Sequence, residues 1–182
     1  MAAAPADSSP GTVRGGFANR QPSQFRNGAR PTQTQGTRAS ELAMFILIQS
    51  PFTVACDSPA DYKDQDGKYL CGMDFLKGLP TVWDETRGLA GEGGKYVVEA
   101  RRHGKDWYLA AITDRNAREL PVPLSFLGGG DWDLNLWEDA PDSDRNAEHL
   151  VKTQRTVHTA DTLQMKLAPS GGTVAIFCSQ QK

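Results

Sequence analysis

From position 81 onward, apolar residues recur with the two-residue period of a strand that buries one face. Leu134 and Leu136 alternate with Asp133 and Asn135, and Leu163, Met165 and Leu167 alternate with Gln164 and Lys166. Successive side chains of a strand point to opposite faces, so each run offers one apolar face. Short runs of this kind, punctuated by turn residues, predict strands over 81–87, 95–102, 106–113, 119–126, 131–138, 151–158, 162–167 and 173–178. The second and third read as a hairpin turning through His103-Gly104. About eight short strands in roughly a hundred residues is the pattern of an antiparallel β-sandwich.

The pattern before position 80 is different. Thr37 is a suitable N-cap, Glu41 favours a first turn, and Pro51 denies the N–H that a helix would need, which predicts a helix over 37–49. Its centre, 42–48 (LAMFILI), is apolar all round rather than striped, so it needs cover on most sides. The run 52–56 (FTVAC), between Pro51 and Asp57-Ser58-Pro59, predicts a buried strand, and 69–77 a second short helix closed by Gly78 and Pro80. Helix, buried strand, helix is the rhythm of a parallel α/β fold, and one such unit cannot stand alone. Residues 1–36, rich in Gly, Pro, Gln, Arg and Asn without hydrophobic period, read as a loop or tail. The chain thus divides into 1–36, 37–80 and 81–182, and removing residues 1–78 is expected to leave a soluble all-β domain.

Composition narrows the classes. The chain has 182 residues, too few for a complete (β/α)8 barrel of about 250. Twenty Lys and Arg against 22 Asp and Glu give a net charge of −2, no electrostatic basis for a nucleic-acid partner. No run approaches the roughly 20 apolar residues of a membrane span. The start (MAAAPA) shows neither the charged n-region nor the apolar h-region of a signal peptide, and localisation stays open. Cys56, Cys71 and Cys178 are widely spaced in apolar settings and read as buried free thiols.

Several strings together resemble the C-terminal third of glycoside hydrolase family 97: 35–51 (QGTRASELAMFILIQSP), Asp57-Ser58-Pro59, 79–89 (LPTVWDETRGL), 144–148 (DRNAE) and 167–172 (LAPSGG). The resemblance implies a bacterial, calcium-dependent α-glucosidase or α-galactosidase, built from an N-terminal β-sandwich, a (β/α)8 barrel and a C-terminal β-sandwich. It would make 37–49, 52–56 and 69–77 the last helix, strand and helix of the barrel, and 81–182 the C-terminal sandwich, linked with oligomerisation. It implies a periplasmic or secreted parent enzyme, with catalytic carboxylates and calcium-binding glutamates upstream of Asp7. The chain would be non-catalytic alone, with the rest of the barrel, a second subunit and an α-glycoside as partners. A stand-alone carbohydrate-binding sandwich is the alternative.

No catalytic or metal-binding residue is assigned within the chain. Glycoside hydrolysis needs two carboxyl groups flanking one bond, whereas Asp84 and Glu85 are adjacent on an expected strand and point apart. Asp57 follows the implied last barrel strand and would lie at the mouth where such barrels place their sites, which makes it the substrate-proximal candidate. Trp132, beside Gly128-Gly129-Gly130, is the candidate for stacking against a sugar. The acid-rich loop 138–144 lacks the Gly and closing Glu of an EF-hand and reads as solvated. His103, His149 and His158 have no ligand-spaced partners.

Overall fold

The computed structural model describes residues 36–50, 53, 54, 57 and 59–180. Among these, eight antiparallel strands follow two helices in the chain: α1 (Arg38–Leu47), α2 (Met73–Lys77), β1 (Glu85–Glu92), β2 (Tyr96–His103), β3 (Asp106–Thr113), β4 (Arg118–Pro123), β5 (Asp131–Asp139), β6 (Leu150–His158), β7 (Thr162–Leu167) and β8 (Gly172–Ser179). Six strands form one sheet in the order β1-β2-β3-β8-β5-β6, and β4 pairs with β7 in a second sheet. The β2–β3 hairpin closes through Gly104, whose φ of 60° lies in the left-handed region that favours glycine.

Alternation sorts the side chains into two cores. On the inner face of the large sheet, Val98, Ala100, Trp107, Leu109, Leu134, Leu136, Ala175 and Phe177 meet Val122, Leu163, Met165 and Leu167 of the small sheet. This is the expected sandwich. The outer face is also apolar: Tyr108, Ala110, Trp137 and Val174 pack against Ala39, Leu42, Ala43 and Ile46 of α1 and against Met73 and Phe75. The central strands β3 and β8 are therefore covered on both faces, which explains the nearly unbroken apolar run 107–112 (WYLAAI).

Several boundaries shift. The first strand begins at Glu85 and runs on through Gly88, Leu89 and Gly91 to Glu92, rather than occupying 81–87. Pairing with β2 overrides the weak strand preference of those small residues, and the irregularity falls between Gly88 and Ala90. The segment before it turns away so that the Trp83 ring meets Tyr108 edge-on at 5.1 Å. The strand expected over 119–126 ends at Pro123, after which Leu124 and Leu127 close a turn. The second helix covers only 73–77, because Tyr69 bridges Lys63 and Gly72 sits at φ 95°. A Cβ on Gly72 would come within 2.6 Å of the Leu42 side chain.

The cover that the apolar centre of α1 calls for is supplied on one side by the sheet, where Leu42, Ala43 and Ile46 are fully buried, while Met44, Phe45 and Leu47 stay half-buried. Cys71 is exposed and Cys178 half-buried, so neither is the enclosed thiol expected, while Cys56 lies outside the described residues. So do residues 1–35 and most of the strand expected over 52–56.

Candidate functional site

A set of long-range polar contacts fastens α1 to the sandwich. A helix start leaves backbone N–H groups without intrahelical partners. The Thr37 side chain accepts the N–H of Ser40 at 3.2 Å as N-cap. Two further donors are taken up from far along the chain: Thr37 donates to the Ser170 carbonyl at 3.2 Å and Arg38 to the Ala147 carbonyl at 2.8 Å. The Arg38 guanidinium, almost fully buried, also donates to Glu148 at 3.1 Å.

Asp139, at the end of β5, completes the junction. Its Oδ2 accepts the N–H of Ala168 at 2.9 Å and of Gly172 at 3.0 Å. The β7–β8 turn is shaped around this contact. A Cβ on Gly171 would lie 1.9 Å from that oxygen, and one on Gly172 would lie 2.6 Å from the Ser40 Cα. At the other end of α1, Arg101 donates to the Leu47 carbonyl at 3.2 Å while its Nε donates to Glu99 at 2.7 Å. A cation at a helix C-terminus is favourably placed against the dipole. Both ends of the helix are thus held by residues of the sheet and its turns.

The residues singled out from sequence fall elsewhere. Trp132 is not an exposed platform: only 5% of it is accessible, in the inner core, and its indole N–H donates to the Gly128 carbonyl at 2.9 Å. The glycines bring the backbone to the ring rather than exposing it. Among the described residues the exposed aromatic ring is instead Tyr69, 66% accessible, beside a groove of about 610 Å³ lined by Tyr62, Met73 and Leu76. Asp57 is half-buried in a bend. Asp84 and Glu85 converge on Arg102, at 3.5 and 3.2 Å, and Asp84 also accepts the Gly104 N–H. They are spent on ion pairing.

The acid-rich loop is only partly solvated. Asp142 and Asp144 are exposed, as expected, whereas Glu138 and Asp139 are half-buried at the end of β5 and Asp139 Oδ1 is enclosed. No group of three or more His, Cys, Asp or Glu side chains suited to a metal ion occurs among the described residues. Sequence reasoning missed Arg38, Arg101 and Asp139. The available signal was that the strings 144–148 and 167–172 were both distinctive and far from α1, yet they supply its contacts.

Comparison with known proteins bears on this arrangement. The family description "Glycosyl-hydrolase 97 C-terminal, oligomerisation" matches residues 82–178. A retaining alpha-galactosidase of Bacteroides thetaiotaomicron is 36% identical over 139 residues, 76% of this chain and 20% of that protein. A probable retaining alpha-galactosidase of Streptomyces bingchenggensis is 34% identical over 157 residues, 86% of this chain and 23% of its own length. Among solved structures, a glycoside hydrolase family 97 enzyme from Pseudoalteromonas sp. strain K8, in complex with acarbose, superposes with a TM-score of 0.73 at 32% identity, covering 81% of this chain and 23% of that one. A beta-arabinopyranosidase follows at 0.67 and 33% identity, covering 83% and 23%. This chain spans about a fifth of the length of the curated relatives it matches.

Proposed function

The chain belongs to the glycoside hydrolase 97 family, whose C-terminal, oligomerisation domain it carries over residues 82–178, and on that basis we propose that it serves as the C-terminal part of a glycosidase. In this reading residues 37–80 are the closing helix, strand and helix of a (β/α)8 barrel. Residues 81–182 are the sandwich that packs on that barrel and brings a second subunit to it. The parent acts on an α-galactoside or α-glucoside, and its catalytic carboxylates lie outside this chain. Calcium, where the parent uses it, is held by further residues outside this chain.

One observation carries the reading. The outer face of the sheet is buried by α1 and α2 through a core of its own. A solvated sandwich would present polar side chains there. A sandwich fused to a barrel needs this second core, and the half-buried Phe45 of α1 and Ile48 just after it remain for neighbours on the barrel side.

The test is an immunoblot of the source cells with an antibody raised against residues 81–182, paired with assay of the purified chain on aryl α-galactosides and α-glucosides. We expect a band several times heavier than 19.8 kDa and no turnover by the isolated chain. A native band at 19.8 kDa, or robust turnover by the chain alone, overturns the reading.

A further inference from the structure

Asp139 faces three elements at once. It ends β5 opposite Leu150 of β6, its Oδ2 receives N–H bonds from both ends of the β7–β8 turn, and the Thr37 hydroxyl of the α1 cap lies close to its carboxyl. The other oxygen, Oδ1, is enclosed and makes no hydrogen bond. An enclosed carboxylate with an unpartnered oxygen is costly to keep charged. Protonation removes that charge while Oδ2 keeps accepting the same two N–H bonds.

We propose that Asp139 is a protonation-controlled latch, whose neutral acid holds the start of α1 and the β7–β8 turn on the end of the sandwich more firmly than its carboxylate does. The junction then tightens as its surroundings acidify. The latch concerns the same junction as the proposed barrel contact, but its test reads the junction alone, so either reading can fail without the other.

Burial pushes the Asp139 carboxyl up to about 6, against the Thr37 hydroxyl and the Ala168 and Gly172 N–H groups, which favour the carboxylate. The charged groups on the elements around it have other partners or stand apart. On β5 itself there is Glu138. On α1 there are Arg38, paired with Glu148, and Glu41. From β4 come Arg118, paired with Asp114, and Glu119, which lies 3.5 Å from Lys166 of β7. In the following loop Asp142 contacts His149 and Asp144 lies beside Arg145, and on β6 Lys152 pairs with Asp74. None of them makes an ion pair with Asp139 among the described residues.

The folded pKa lies above the unfolded one, so the stabilisation is complete below the ordinary carboxylate value of about 3.9 and is lost as pH rises through about 6. The test is hydrogen exchange of the α1 backbone amides in the full chain at pH 7.5 and pH 5, corrected for intrinsic exchange rates. We expect protection to rise about tenfold on acidification in the unaltered chain and to stay level in Asp139→Asn. Should that variant fail to fold, the carboxyl carbon of Asp139 is titrated by NMR in the unaltered chain, with a midpoint near 6 expected. Equal protection at both pH values, the same rise in the Asn variant, or a midpoint at the ordinary carboxylate value overturns the latch.

Discussion

The guanidinium of Arg38 lies 3.1 Å from the carboxylate of Glu148, an ion pair between residues 110 positions apart in the chain. It joins the start of α1 to the loop before β6, with the Arg38 side chain nearly enclosed and Glu148 at the surface. Bonds of this kind, to a buried charged group, are worth more than exposed pairs. Glu148→Ala should therefore destabilise the chain by about 1–3 kcal/mol, read as a lower denaturant midpoint with an unchanged slope. A loss of less than a few tenths would mean that the pair does not hold the helix.

Gly172 makes a second case. A Cβ there would lie 2.6 Å from the Ser40 Cα and 2.9 Å from the Ala111 carbonyl, both backbone atoms with little freedom to yield. Gly172→Ala should push α1 off the sheet and cost about 1–3 kcal/mol by overpacking, measured by thermal unfolding. Gly78→Ala, with open space around its Cβ position, is the control and should be near neutral.

Leu42 is fully buried between α1 and the outer face of the sheet. Leu42→Ala should cost about 2–5 kcal/mol, with the transfer of the lost methyl groups and the remaining cavity both contributing. Near-UV circular dichroism of the variant should change as well, since Trp137 and Tyr108 share that core.

Removal of residues 1–78 exposes Tyr108, Ala110, Trp137 and Val174 together. Contiguous apolar patches of this sort drive association. The truncated sandwich is expected to bind a hydrophobic dye and to sediment as aggregates, where the intact chain does neither. This reverses what the strand pattern alone suggests about a soluble all-β fragment. A monomeric, dye-silent truncation would show that the second core is dispensable.

With Trp132 enclosed and hydrogen-bonded, and Trp107 and Trp137 also buried, no described tryptophan except the half-buried Trp83 has a ring near solvent. Titration with galactose or maltose should leave the intrinsic fluorescence of the chain unchanged. A saturable shift, lost in Trp83→Phe, would restore a sugar-binding role for the isolated chain.

The sandwich was legible in the sequence because its strands announce themselves by alternation, as in β7, where Leu163, Met165 and Leu167 all point inward. The start of α1 was legible from Thr37. What escaped was tertiary. Alternation in 131–138 places Trp132 with Leu134 and Leu136, but the neighbouring glycines suggested exposure, whereas the backbone they allow folds over the indole and accepts its N–H. Asp139 sits in an acid-rich stretch that composition marks as wet, and only the arrival of the β7–β8 turn and the α1 cap half-buries it and encloses its Oδ1. Glu148, which holds Arg38, and the Leu47 carbonyl, which takes Arg101, lie tens of residues away, beyond any local pattern.

Because β3 and β8 have no wet face, the sandwich and the segment before it are physically one piece. A domain with a solvated exterior can be copied, shuffled and spliced between genes as a cassette. This one cannot leave without its preceding helix, since the cut at position 80 would run through a core rather than along a linker. Any engineered transplant should therefore carry the chain from Gly36 onward.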